Sequence, residues 1–170
     1  MASISAIIPV LDEEAALPAL LESLKTQREV QIEIIAVDGG SADGSEAAFK
    51  THAPEGSLWL NAPKGRASQM NAGAKAASGE YLLFIHADSL LEGENLLRDA
   101  LCLLLDEKNS GQKIAGKWAV DFCLPENSFA AFFMQAKTAL ERADAYAGDQ
   151  GLLLARSYFL ELGGFDETPP

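Results

Sequence analysis

Apolar and polar positions alternate along the chain in blocks that change period. Ile4 to Val10 and Ile32 to Val37 are short runs rich in β-branched residues, while Leu17, Leu20, Leu21 and Leu24 between them fall on one face of a helix. This predicts a βαβ unit with parallel strands and a right-handed crossover. The turn-rich loop after Val37 offers Asp43 or Ser45 as the cap of a helix running to about Lys50. Leu58 to Leu60 reads as a third strand, and residues 66–77 as a helix. Tyr81 to Ile85 is continuously apolar and reads as a buried central strand ending at His86-Ala87-Asp88. Leu97, Leu101 and Leu104 mark a helix between about Glu94 and Glu107. Beyond a polar stretch, alternation at Trp118, Val120 and Phe122 predicts a strand from Ile114 to Leu124, and Phe129, Phe132, Phe133, Ala136 and Leu140 recur at helical spacing. The pattern is that of a single α/β domain with a mostly parallel, Rossmann-like central sheet flanked by helices. It contains no repeat or linker, and Asp166 to Pro170 reads as an interruption in a loop, as if the C-terminal half were incomplete.

Composition narrows the function. The chain has 170 residues and is 48% hydrophobic, enough for a core. A formal charge of −12 and a pI near 4.5 exclude nucleic-acid binding through phosphates and disfavour docking to anionic lipid. A phosphate-bearing ligand then needs a metal ion or local donors. Cys102 and Cys123 read as buried thiols in core elements, and two cysteines with two distant histidines make no zinc spacing. The N-terminus lacks a basic leader and its apolar run is too short for a signal sequence, which predicts a cytoplasmic protein. The Phe129 to Leu140 helix reads as core-facing or as an interface helix such as a homodimer contact, in preference to peripheral membrane binding, because Lys137 and Arg142 are sparse.

Three strand ends deliver the sequences PVLDEE, VDGGSADGS and HADS to one edge if the sheet is parallel, which is where open α/β sheets bind ligands. Gly39 and Gly40 permit close approach of backbone to a ligand, and Asp38 can accept from a nucleobase imide or a ribose hydroxyl. Asp88, just past a buried strand, suits a divalent cation, and Arg66 suits phosphate or a base face. Each residue also has an ordinary structural reading: Asp38 as a turn former, Asp88 as a helix cap, His86 as an interior histidine, Asn71 as a solvent-facing helix residue. No GxxxxGK[ST] or GxGxxG run is present, which argues against P-loop and dinucleotide-binding proteins, and the first strand lacks the Gly-rich signature of a nucleotidyltransferase.

Residues 7–14 (IIPVLDEE), 37–45 (VDGGSADGS) and 65–74 (GRASQMNAGA) together resemble the nucleotide-binding half of a family 2 glycosyltransferase with the GT-A fold. The resemblance covers nearly the whole chain, with a donor half over about residues 1–90 and an acceptor-side half over about 91–170. The segments GRASQMNAGA, LLFIHADS, GDQGLLLAR and GGFDE are similar to a narrower bacterial subgroup, the arsenosugar-biosynthesis-type glycosyltransferases. The family resemblance implies a nucleotide-diphospho-sugar donor, a small-molecule or lipid-linked acceptor hydroxyl, an inverting displacement, and Mg2+ or Mn2+ as cofactor. It implies donor contacts from Pro9, Val10, Glu13, Asp38, Gly39, Gly65, Arg66, Asn71, His86 and Ala87, with Asp88 as the metal ligand. His86 stands where the family has an acid. Gly148-Asp149-Gln150-Gly151 matches the acceptor-side loop, which makes Asp149 the candidate base and Gln150 a substrate contact. The alternative from a different class is a catalytically silent or truncated nucleotide-sugar-binding module.

Overall fold

A computed structural model describes residues 2–108, 115–117 and 151–168. Its sheet has six strands in the order β3-β2-β1-β4-β6-β5. They are β1 (Ser3–Val10), β2 (Gln31–Asp38), β3 (Leu58–Asn61), β4 (Tyr81–Phe84), β5 (Ala115–Lys117) and β6 (Leu152–Ala155). The helices are α1 (Leu17–Lys25), α2 (Ser45–His52), α3 (Arg66–Ala76), α4 (Leu96–Lys108) and α5 (Arg156–Leu162). The first four strands are mutually parallel, and β6 runs antiparallel to both β4 and β5.

β1 lies between β2 and β4, and every residue from Ile4 to Val10 is buried. A strand covered on both faces needs apolar residues at consecutive positions, which explains why this run shows no alternation. One face packs Ile4, Ile8, Leu83 and Leu153 under α1, α2 and α4; the other packs Ile7, Val37, Leu82 and Leu154 under α3 and α5. In α1 the four leucines expected to face the core are at most 2% exposed. Each contributes about 1.5–3 kcal/mol by burial. Gly73 of α3 faces β1 so closely that an added β-carbon would lie 2.4 Å from the Ile7 Cγ2 methyl, so glycine sets the helix-to-sheet distance there.

Most expected elements are present with ends shifted by a residue or so. β6 and α5 were not foreseen: a four-residue apolar run after Gly151 is too short to carry a period. The strand expected over Ile114 to Leu124 is described only as β5, and the Phe129 to Leu140 helix, Cys123, Asp149 and Gln150 lie outside the described residues. The expectation that Cys102 is buried is corrected. Its free thiol is exposed, because Leu97, Leu101 and Leu104 turn inward while positions 102 and 103 point outward. The α2 cap also differs in detail. Gly44 holds the cap position without a side-chain bond, and Asp43, one residue earlier, accepts both the Ser45 N–H and its hydroxyl. Among the described residues no helix is long and apolar enough to cross a membrane.

Candidate functional site

The carboxyl ends of β1, β2 and β4 meet at one edge of the sheet. Pro9 pairs with Val37 and Val10 with Asp38, so these residues arrive there in register. The loops that follow are tied to one another. Asp12, at a positive φ of 57°, donates its N–H to the Ser41 hydroxyl and accepts from Ala42 N–H. Glu13 N–H donates to the Ser45 hydroxyl, Glu14 N–H to the Asp43 carboxylate, and Gly44 N–H to the Glu14 carboxylate. The loop after β1 and the loop after β2 therefore form a single unit.

Asp38 is 9% exposed, and its carboxylate accepts the Ser41 N–H at 3.0 Å and the Ser41 hydroxyl at 2.6 Å. This is the turn-forming role that an Asp before glycines suggests, and it also fixes the carboxylate at the edge. Gly39 donates its N–H to Val10 O at 2.9 Å.

Beneath these strand ends lies Gln69, a residue that sequence reasoning did not single out. It is 3% exposed, and its Nε2 donates to Val10 O and Val37 O, both at 2.8 Å. A β-carbon on Gly39 would sit 3.1 Å from the Gln69 amide, so glycine makes room for this clamp. The sequence held one signal. Helix α3, RASQMNAGAKA, has almost no apolar stripe, yet Gln69, Met70, Asn71, Gly73 and Ala74 are buried, so its inward face must find polar partners.

Gly65, with a φ of +147°, leads into α3, and Arg66 at the first helical position is exposed. Asn71 is 9% exposed, against the reading of it as solvent-facing, and its amide is engaged by Phe165 and Glu167. After β4, Ile85 N–H donates to Ile7 O, and Ser89 N–H closes a tight turn on His86 O. That turn leaves His86 half-buried, Ala87 buried and Asp88 exposed.

The environment of Glu13 reflects the same convergence. Glu13 is held above the ordinary carboxylate range, first by burial and then by the charges of Asp88, Asp43 and Asp12. Carboxylates from the ends of β1, β2 and β4 thus sense one another. Among the described residues no three His, Cys, Asp or Glu side chains form a ready metal cage. Mg2+ and chemically similar hard cations often take one or two carboxylates and complete their shell with water and substrate phosphates, so the donor set around Asp88 fits such an ion.

The chain matches the family described as Glycosyl transferase family 2 over residues 5–120. It belongs to that family. Among relatives of this family 2 chain is a PGL/p-HBAD biosynthesis glycosyltransferase of Mycobacterium bovis, 39% identical over 101 residues, covering 56% of the chain and 40% of the relative. Another is an undecaprenyl-phosphate 4-deoxy-4-formamido-L-arabinose transferase of Aeromonas hydrophila, 37% identical over 93 residues, covering 50% and 28%. The chain thus spans less than half the length of these curated relatives. In fold it is similar to a mannosyltransferase from Pyrobaculum calidifontis in complex with GDP-Man and Mn2+, with a TM-score of 0.69, 22% identity, and coverage of 96% of this chain and 47% of that one. It is also similar to Mycobacterium tuberculosis glucosyl-3-phosphoglycerate synthase in complex with Mn2+, UDP and phosphoglyceric acid, with a TM-score of 0.61, 18% identity, and coverage of 92% and 56%. The fold of this family 2 chain is therefore the GT-A arrangement.

Proposed function

We propose that the chain carries the donor-binding part of a metal-dependent glycosyltransferase that moves a sugar from a nucleotide-diphospho-sugar to an acceptor hydroxyl with inversion. The observation that carries this reading is the meeting of acids from three strand ends at one edge of the sheet: Asp12 and Glu13 after β1, Asp38 and Asp43 at and after the end of β2, and Asp88 after β4. Such an edge repels a bare diphosphate and becomes complementary to one only with a cation between them.

In this reading Pro9, Val10, Asp38 and Gly39 seat the nucleoside, and Asp38 accepts a hydrogen bond from base or ribose. His86 donates to or accepts from the ribose, taking the place of the family's acid. Asp88, with Glu13 nearby, holds Mg2+ or Mn2+, which when bound offsets charge on the diphosphate leaving group. Gly65 and Arg66 bring a helix N-terminus and a guanidinium toward the same phosphates. The acceptor oxygen attacks the anomeric carbon, the bond from that carbon to the diphosphate oxygen breaks, and the acceptor proton passes to a carboxylate, for which we propose Asp149, with Gln150 beside it.

The narrower likeness to the arsenosugar-biosynthesis type rests on the GRASQMNAGA, LLFIHADS, GDQGLLLAR and GGFDE segments alone and is a proposal, the relatives above being of other types. Among the described residues, His86 favours a second reading, a nucleotide-sugar-binding module that does not turn over. The test is Mn2+-dependent hydrolysis of UDP-glucose and GDP-mannose. Asp88→Ala is expected to lower the rate at least a hundredfold. Unchanged hydrolysis in that variant excludes the metal role of Asp88, and donor binding without any hydrolysis by the unaltered chain favours the binding module.

A further inference from the structure

Asn71 makes a grip that donor binding does not account for. Its Nδ2 donates to Phe165 O at 2.9 Å and to a Glu167 carboxylate oxygen at 2.7 Å, and its Oδ1 accepts the Phe165 N–H at 2.9 Å. Gly164, at a φ of +85°, passes so close that a β-carbon there would lie 2.8 Å from Asn71 Oδ1. The partners are 94 and 96 residues away in sequence, so the grip joins α3 to a segment from the far end of the chain.

That segment lies against the donor edge. The Phe165 ring packs edge-on against Phe84 with centroids 4.9 Å apart, and both contact Phe159. Phe84 ends β4, two residues before His86. On α3, Asn71 lies five residues after Arg66, about 7.5 Å along the axis from the helix start. One amide thus holds residues 164–167 between the helix that begins at Arg66 and the strand that ends at Phe84, just before His86-Ala87-Asp88. It also restrains the Glu167 carboxylate, an exposed acid, through a charge-assisted bond.

We infer that Asn71 is a positioning residue for turnover and not a ligand of the donor: through Phe165 and Glu167 it locks the Gly164 to Glu167 segment against the β4 end and so fixes the wall beside the reacting sugar. The inference rests on the glycosyltransferase reading of the same edge. An amide suits the task because it donates to a carbonyl and a carboxylate while accepting from an N–H, which neither a carboxylate nor an alkyl group can do.

The experiment measures Mn2+-dependent hydrolysis of UDP-glucose and GDP-mannose by the unaltered chain, N71A and N71D, with thermal unfolding of each. The expected result for N71A is a donor KM within about twofold of the unaltered chain and a kcat at least tenfold lower. N71D sets a second carboxylate against Glu167 and Phe165 O; protonation lets it donate again, so its kcat relative to the unaltered chain at equal pH should rise from pH 8 to pH 5.5. This pH response applies even if N71A does not fold. A tenfold rise in KM with kcat retained in N71A, unchanged kinetics in N71A, or a flat N71D ratio overturns the inference while leaving the function intact. An unaltered chain that neither binds nor hydrolyses either donor overturns the functional reading, and this inference with it.

Discussion

At the scale of single residues, the site is built from polar groups placed where their ordinary behaviour is altered. Glu13 has its proton affinity raised by burial and by three neighbouring acids. A carboxyl whose folded pKa is raised destabilises the fold progressively as pH climbs from its unfolded value through its folded value. Glu13→Gln removes that charge and keeps the backbone bond to Ser45. It should raise the metal-free thermal midpoint at pH 7 by about 1–2 °C, with the gain disappearing at acid pH. A scan across pH checks this, and a lower midpoint at pH 7 would contradict it. Gln69 presents the reverse case, a neutral amide whose two donors satisfy two strand-end carbonyls. Gln69→Leu should cost about 1–3 kcal/mol in chemical denaturation, because it removes two buried hydrogen bonds, leaving Val10 O with the Gly39 N–H and taking the amide donor from Val37 O. It should also weaken nucleotide binding by releasing the seat of Asp38 and Gly39. Stability loss with unaltered nucleotide affinity would confine Gln69 to the fold. The partners of Gln69 and Asn71 were not legible in the sequence, because they come from remote segments; the weak apolar stripe of α3 signalled only that its inward face is polar. The placement of Asp38, Gly39 and Asp88 at the strand-end edge was legible, because Asp38 closes β2, Gly39 follows it, and Asp88 lies four residues past the buried β4.

At the scale of elements, the two ends of the sheet divide their work. At the end opposite the site, Glu33 of β2 accepts from the Ser5 hydroxyl of β1 and from the amide and hydroxyl of Ser78, which precedes β4. Burial pushes its carboxyl upward, yet hydrogen bonds from Ser5, Ser78 and the Gly79 amide outweigh that and hold it below the ordinary value of 4.5. A depressed acid contributes stability that is fully present above its unfolded pKa and is lost as pH falls through the folded one. Glu33→Ala should therefore cost about 1–3 kcal/mol at pH 7 and progressively less below about pH 4.5, as measured by urea unfolding. A cost independent of pH would show that packing, not charge, is responsible. The elements themselves were read well where hydrophobic period was long or continuous, as in β1, α1 and β4. They were missed where four apolar residues, Leu152 to Ala155, form a strand only because β4 offers an unpaired side for antiparallel addition. That pairing is a property of the assembled sheet, so local pattern could not disclose it.

At the scale of the whole molecule, a chain of net charge −12 concentrates acids at the one edge proposed to receive a diphosphate. Charge balance then makes the cation part of the binding reaction, and donor affinity and cation affinity should rise together. Family and fold were readable from three segments because they form the ends of β1 and β2 with their loops and the first turns of α3, all near one edge. The acceptor side was not, since specificity on a shared fold resides in loops that differ between relatives. The most direct test is a calorimetric titration of UDP and GDP into the chain with and without Mn2+. The account predicts a single saturable site for at least one of them, at least tenfold tighter with Mn2+ than without it. Absence of binding by both nucleotides in the presence of Mn2+ would contradict it.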